Sequence, residues 1–328
     1  MRIMIVGDFY SEQDIRLSQP FTGLPGQELT RMLTEAGIMQ SDCYLTTVVR
    51  GRPLHGDLEH WLPAKKKNIQ ASFQPIHNRL AHPLLIEGLA ILEQEINLVD
   101  PQVIVTLGNL PLFALMGADS ALRWRGSLLS YKGTTLIPTL HPSTILQQWE
   151  LRNAAVNDLR RAARPPVPAP EWNFRIRPSF SLAQETLLLL QKKAEQNELW
   201  LDLDIETKAN HIACIGLSWT LLDALIIPLM CREDRNGYWT AEEEGELVYH
   251  LYTLLTHPNT RVRWQNGLFD AQYIFRYWHF IPRHGQDTMI AWHTMFAGQK
   301  KSLDYQASLL CDHYVQWKPE KGVWKTGA

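Results

Sequence analysis

A run of prolines divides this sequence. Residues 164–170 read ArgProProValProAlaPro, four prolines in seven positions. Proline has no backbone N–H and a fixed φ, so such a run continues neither a helix nor a central strand and favours extended polyproline II. At 328 residues the chain is also longer than one hydrophobic core ordinarily serves. The expectation is two domains, 1–164 and 172–328, joined by a linker over 165–171.

Before the linker, apolar runs rich in β-branched residues at 2–6, 43–49, 103–107 and 135–140 alternate with amphipathic patterns at 27–36, 84–97, 110–115 and 151–163. That alternation predicts an α/β domain of three layers, α/β/α, on a mainly parallel sheet. Ligands in such domains sit outside the carboxyl ends of the strands. Asp8, Thr47, Gly108 and His141 all fall at predicted strand ends and so share one rim. After the linker the order changes. A helical pattern at 182–195 leads into strand patterns at 199–205, 212–220 and 224–229, a helix at 241–257 and a strand at 261–264. Helical patterns at 268–277, 288–296 and 303–313 follow, which together predict a mixed sheet plus helices, as in an RNase H-like fold.

Bulk properties exclude more than they assign. No apolar run is long enough to span a bilayer, and the start MRIMIVGDFY reads as a buried strand rather than a signal peptide. The expected setting is cytoplasmic, in a bacterium or a phage-infected host, with no membrane partner. Cys43, Cys214, Cys231 and Cys311 form no CxxC pair, which argues against a zinc site or a disulfide framework. The formal net charge of −2 announces no nucleic-acid binder, so any contact with DNA needs a local basic patch or metal ions. Residues 65–67, all lysine, are either a solvated charge run or a basic flap suited to phosphates.

The segment LeuAspLeuAspIleGluThr at 201–207 carries the sharpest chemistry. Residues two apart on a strand face one side, so Asp202, Asp204 and Glu206 project together while Leu201, Leu203 and Ile205 bury the other face. Carboxylates on one strand face repel unless a cation joins them, and hard Mg²⁺ prefers oxygen ligands. The alternative is a solvent-facing acidic edge. Downstream, 264–275 gives a strand end at Asn266 and then Asp270 in the opening of a helix, where a capping or surface role is the alternative. Taken in order, Asp204 and Glu206 in a DxET pattern, Asn266 four positions before Asp270, AspThrMet at 287–289 and SerLeuAspTyrGlnAlaSerLeu at 302–309 resemble the DEDD 3′–5′ exonucleases, in particular the proofreading domains of family A DNA polymerases.

The resemblance implies hydrolysis of the terminal phosphodiester of a single-stranded 3′ end with two Mg²⁺ or Mn²⁺ ions. It implies that Asp204 bridges the ions, that Glu206 and Asp270 hold one each or orient water, and that Asn266 and Thr207 touch substrate. Trp264, Phe269 and Tyr273 are candidates for base stacking, with core packing as the alternative. The family's fourth carboxylate, an Asp four residues after a Tyr or His in a late helix, has no match after Ser302; Asp304 and Asp312 come too early.

In the first half, GlyAspPheTyrSer at 7–11, GlnProPheThrGlyLeuProGly at 19–26 and LeuHisProSerThrIle at 140–145 resemble the uracil-DNA glycosylase superfamily, and its family 4 above all. ThrValValArgGlyArgPro at 47–53, ValIleValThrLeuGly at 103–108 and TrpArgGlySer at 124–127 fall in the same order. The resemblance implies a pocket in which a flipped base stacks on Phe21 while His141 stabilises its departing anion and Ser143 touches a phosphate. Asp8 stands where family 4 has Glu. A buried or capping His141 and a core Phe21 are the alternatives. Thr47 replaces the amide that reads uracil, and Gly51 replaces a cluster-ligating Cys, so no iron–sulfur cluster is expected.

Combined, the two resemblances imply a DNA replication or repair protein, the N-terminal part of a phage-like DNA polymerase, with DNA, a polymerase domain or replication proteins as partners. Two rivals stay open: a repair nuclease with an active uracil glycosylase that takes uracil-containing DNA, and a catalytically inactive DNA-binding or replication scaffold.

Overall fold

The computed structural model describes residues 2–64, 68–164, 168–231 and 237–317, and these divide into two units, each with its own core.

The first unit opens with β1 (Ile3–Phe9), whose residues Ile3–Val6 are buried. Helices α1 (Glu12–Leu17) and α2 (Leu24–Glu35) lead to β2 (Cys43–Val49), which pairs parallel to β1 with Ile3 opposite Cys43 and Gly7 opposite Thr47. A small hairpin, β3 (Gln74–Ile76) and β4 (Arg79–Ala81), precedes α3 (Pro83–Val99). Then β5 (Val103–Leu107), buried along its length, joins the far side of β1. Helices α4 (Asn109–Met116) and α5 (Ala121–Trp124), the antiparallel pair β6 (Leu129–Tyr131) and β7 (Thr134–Thr139), and α6 (Pro142–Gln147) and α7 (Arg152–Ala162) follow. The strand order is β2-β1-β5-β7-β6, parallel except at the β6 edge. The chain leaves β1 in one direction and returns on its other side, so the order reverses between β1 and β5, and a crevice opens at the carboxyl ends of such strands.

The second unit begins at Pro168. Its elements are β8 (Asn173–Arg175), α8 (Phe180–Gln196), β9 (Leu199–Lys208), β10 (His211–Ser218), β11 (Asp223–Pro228), α9 (Ala241–Leu255), β12 (Thr260–Trp264), α10 (Gly267–Trp278), β13 (His284–Asp287) and α11 (Thr288–Met295). The sheet order is β13-β12-β9-β10-β11-β8, with β9, β10 and β11 antiparallel and β12 parallel to β9. This is the mixed sheet plus helices that the sequence predicts. Leu201, Leu203 and Ile205 of β9 are buried with Leu187 and Leu190 of α8 and Leu251 and Leu254 of α9 in one core.

The sequence assigns everything after 171 to the second domain, and the structure corrects this. The last helix, α12 (Leu303–Leu310), and the described residues that follow it, up to 317, belong from Asp304 onward to the first unit. Arg125, 2% exposed, explains why. Its Nε donates to Asp158 Oδ2 at 2.8 Å, Thr139 Oγ1 donates to the same oxygen at 2.8 Å, and Arg125 Nη1 donates to Ser308 Oγ at 2.6 Å. Arg161 Nη2 donates to Ser308 O at 2.9 Å, Leu128 N to Tyr314 O at 2.9 Å and Gln316 N to Ser127 Oγ at 3.0 Å. A buried guanidinium is stable only with its donors satisfied, and Ser308 supplies a partner that residues 1–164 do not. The predicted helix over 303–313 stops at Leu310.

Candidate functional sites

The crevice of the first unit is built on two glycines. A Cβ on Gly7, near the end of β1, would lie 2.6 Å from Phe21 Cζ, and a Cβ on Gly26 would lie 1.7 Å from the Phe21 carbonyl oxygen. Only glycine at both places lets the Phe21 loop close over the strand end. Phe21 itself has φ of 59°, a strained left-handed conformation for an aromatic residue. Asp14, absent from the predicted site, holds the loop there. It is buried and accepts hydrogen bonds from Ser11 N at 2.8 Å, Thr22 N at 2.7 Å and Thr22 Oγ1 at 2.7 Å. Burial would raise its pKa, but these bonds outweigh it and hold the carboxyl below its ordinary value. The Ser11-x-x-Asp14 capping box was legible in the sequence and is the signal that could have found it.

Across the crevice His141 caps α6, with Nδ1 accepting from Ser143 N at 3.2 Å and meeting Ser143 Oγ. Burial lowers its pKa to about 4, against the field of Asp14. The ring is therefore neutral, and with Nδ1 as acceptor its proton sits on Nε2, an uncharged donor. The Phe21 and His141 ring centroids are 6.5 Å apart. Ser143, expected at a phosphate, is engaged with this ring. Gly108 (φ 96°) brings the first turn of α4 close: a Cβ there would stand 3.1 Å from Asp8 Oδ1 and 3.2 Å from His141 Cβ. Burial pushes the Asp8 carboxyl up to about 7, moderated by a hydrogen bond from the Leu110 backbone, and its Oδ1 is buried without a partner. Gly108 thus stands close to both Asp8 and His141, and Phe21 faces the His141 ring. Thr47 is 5% exposed, and its hydroxyl donates to Val49 O at 2.9 Å, so it is committed to its own strand end. The basic run 65–67 lies outside the described residues.

In the second unit Asp204 and Glu206 are exposed on β9 and Asp270 is buried on α10. The β9–β12 ladder ends at Asp202 opposite Arg263, which leaves the Ile205 N–H to donate to Asp270 Oδ1 at 3.0 Å. Burial, with the negative charges of Asp204 and Asp287 adding to it, raises the Asp270 pKa to about 6 against that bond. Asp287 positions the helix. It accepts from Asn266 N at 3.1 Å and Gly267 N at 2.9 Å, fixing Asn266 in a left-handed turn (φ 63°). A Cβ on Gly267 would strike Trp264 at 2.3 Å, so the turn needs glycine.

Asp204, Glu206 and Asp270 are not gathered into a three-carboxylate centre: among the described residues no three His, Cys, Asp or Glu side chains are placed to hold a metal ion. The physical reason is that Asp270 turns to the Ile205 amide while the other two carboxylates extend to solvent, where their mutual repulsion is screened. Asp202, on the same face, is held by Arg263 in a bidentate pair at 2.7 and 2.9 Å. Thr207 stands by strand alternation with Ile205, opposite the face of Glu206. What does suit a hard divalent cation is the donor chemistry, all carboxylate oxygen, with Asp204 near enough for its charge to raise the cost of ionising Asp270. Trp264 is core, 5% exposed, whereas Phe269 is 42% exposed and available for stacking.

A mainly parallel sheet whose strand order reverses between β1 and β5, flanked by helices, defines an α/β domain of the doubly wound kind. Comparison with known proteins makes this specific. Residues 1–161 match the Uracil DNA glycosylase superfamily. The type-4 uracil-DNA glycosylase of Thermotoga maritima is 31% identical over 166 residues, which cover 49% of this chain and 76% of that protein. The chain belongs to the uracil-DNA glycosylase superfamily through its first unit. A DNA polymerase of Bacillus phage SP01 is 28% identical over 300 residues, 83% of this chain, and the chain spans 30% of that polymerase's length. Among solved structures, RNase D of Escherichia coli matches at 15% identity over 45% of this chain and 35% of its own, with a TM-score of 0.30, too slight to weigh.

Proposed function

We propose that this chain serves DNA replication or repair, its second unit trimming single-stranded 3′ ends and its first unit holding DNA in a glycosylase-derived pocket with little or no uracil excision. The observation that carries the exonuclease reading is Asp270: a buried carboxyl, pinned to the Ile205 amide and loaded by the charge of Asp204, is what a cation would relieve. Asp204 and Asp270 would hold Mg²⁺ or Mn²⁺, with Glu206, two residues along the same β9 face, as a further oxygen donor once the ion offsets the repulsion; the ion would supply activation of water and neutralisation of charge at the leaving oxygen. Asp287 and the Asn266 turn hold Asp270 in place, and Phe269 offers a face for the terminal base. In the first unit, Phe21 offers a stacking floor, and His141 an uncharged donor where negative charge would develop on a base. The match along 83% of the chain to a phage polymerase supports work beside a polymerase site.

The test is a 5′-labelled single-stranded oligonucleotide incubated with Mg²⁺ or Mn²⁺. Stepwise shortening from the 3′ end, lost with EDTA and in Asp204→Ala, is expected. No shortening, or shortening that survives Asp204→Ala, would sink this reading. One other reading has an observation of its own: a binding scaffold without hydrolysis, favoured by the ungathered carboxylates. That protein would bind the same oligonucleotide and leave it intact in either metal.

A further inference from the structure

Two residues of the first unit's crevice are tied to Thr139, the last residue of β7 and 1% exposed. His141 follows it by two positions in the chain. The Thr139 carbonyl oxygen accepts from Gly108 N at 2.9 Å, the glycine that stands close to both Asp8 and His141. The Thr139 hydroxyl donates to Asp158 Oδ2 of α7 at 2.8 Å. Asp158, fully buried, also accepts from Arg125 Nε at 2.8 Å and from Arg125 Nη2. Arg125 gives Nη2 as well to Ala154 O at 3.2 Å, and Nη1 to Ser308 Oγ at 2.6 Å. Ser308 donates onward to Tyr305 O at 2.7 Å, and the guanidinium carbon of Arg125 lies 5.6 Å from the centroid of the Tyr305 ring. Gly126 leaves room for this joint: a Cβ there would stand 2.7 Å from Asp158 Oδ1 and 3.3 Å from Ser308 O. The Gly126 N–H donates to Pro138 O at 2.9 Å, so the Arg125 loop is bonded to the end of β7 by its backbone too. Of Arg125, Thr139, Asp158 and Ser308, none has a buried side-chain nitrogen or oxygen without a partner.

We propose that Ser308 and Asp158 are positioning residues of the crevice: docking of α12 fixes Arg125, Arg125 fixes Asp158, and Asp158 holds Thr139 so that Gly108 and His141 keep the spacing that admits a base. Every link is buried and matched, so no member can turn without leaving a polar group unpaired. Without Ser308 Oγ, Arg125 Nη1 faces no acceptor from α12, and any tilt of the guanidinium toward another takes its fork off Asp158. A close-packed interior passes such a shift along instead of absorbing it. A buried ion pair is weak evidence for stability; a role in fixing one arrangement of the residues around it is the better-supported reason to find one. The crevice is thereby set by a segment that lies beyond the second unit in the chain. The inference rests on the reading of the crevice as a pocket for DNA, and it concerns what holds that pocket in shape.

The experiment records proton–carbon NMR spectra of the full chain, labelled with ¹³C in its histidine rings, at neutral pH in EDTA. The His141 signal is assigned by its disappearance in His141→Gln. Ser308→Ala and Thr139→Val are each expected to displace or broaden that signal, while the signals of His250 and His257 in the second unit stay in place. Thr139→Ser, which keeps the hydroxyl, is expected to leave the His141 signal at the parent position. A uracil-containing single strand is then titrated in, with the His141 signal as the readout. In Ser308→Ala and Thr139→Val the midpoint should move to strand concentrations roughly two- to thirtyfold higher than in the parent. Cooperative thermal melts establish that the variants fold, and Thr139→Val, which leaves every contact of α12 intact, carries the test if Ser308→Ala does not fold. A His141 signal unmoved in the folded variants, or moved as far by Thr139→Ser as by Thr139→Val, would overturn the proposal. A parent signal that ignores the strand would remove the DNA pocket alone, since the free protein still reports whether Ser308 and Thr139 reach His141.

Discussion

Thr47→Asn is expected to raise uracil release from single-stranded DNA by about 10²–10³-fold over the unaltered chain, the span that one correctly placed donor at a developing anion contributes. In the unaltered chain the Thr47 hydroxyl donates to Val49 O at 2.9 Å, so the side chain presents its methyl, not its polar atom, toward β1. Thr47 Cγ2 lies 3.4 Å, and Phe21 Cζ 2.6 Å, from the point where a Cβ on Gly7 would stand, which puts residue 47 beside the ring that would carry the base. A carboxamide at that place offers a donor and an acceptor together, the pair that a uracil edge requires and a hydroxyl lacks. Losing the Val49 bond costs about 1 kcal/mol, small against the gain in reading the base. The assay is alkaline cleavage of a uracil-containing oligonucleotide at pH 8, where His141, with a pKa of about 4, is neutral. His141→Ala on the Thr47→Asn background should return the rate toward the starting level. Rapid, His141-dependent excision by the unaltered chain, or no change in Thr47→Asn, would refute the reasoning.

Asp8 has a folded pKa of about 7 against 3.8 for a free carboxyl, so the folded state binds the extra proton between those values; this contribution is fully present below pH 4 and lost as pH rises through 7. Asp8→Asn should therefore melt higher than the parent at pH 8, by on the order of 2–4 kcal/mol, and the difference should vanish near pH 4; equal melting at pH 8 would count against a buried, ionisable Asp8. Asp270, raised to about 6, obeys the same sign: Asp270→Asn keeps an acceptor for Ile205 N and should melt higher above pH 6, yet abolish 3′ trimming, a pairing that a purely structural role would not give. Ser308→Ala leaves a buried donor of Arg125 unmatched and should lower first-unit stability by about 1–3 kcal/mol in denaturant titration; no loss would mean that α12 only rests on the surface. Pure protein should be colourless and free of stoichiometric iron, because Cys43 is the single cysteine before the linker.

Much of this was readable from periodicity. The all-buried run Ile3–Val6 and the strict alternation of Leu201, Leu203 and Ile205 with Asp202, Asp204 and Glu206 leave each strand one way to face, since an apolar side chain in water costs more than any local preference recovers. The rim residues Asp8, Gly108 and His141 could be placed together because parallel strands put their carboxyl ends at one border. Gly7, Gly26 and Gly267 mark approaches that a side chain would block, but which neighbour approaches each is visible only in the folded chain. Tertiary structure alone decided the rest. Whether Asp270 faces a cation or an amide depends on where the β9–β12 ladder stops, a matter of register between segments sixty residues apart. That Ser308 completes Arg125, 183 positions away, reflects a buried charge seeking partners in three dimensions, which no local pattern records. The commitment of Thr47 to Val49, and the neutrality of His141, likewise follow from burial, a property of the assembled fold rather than of the residues in order.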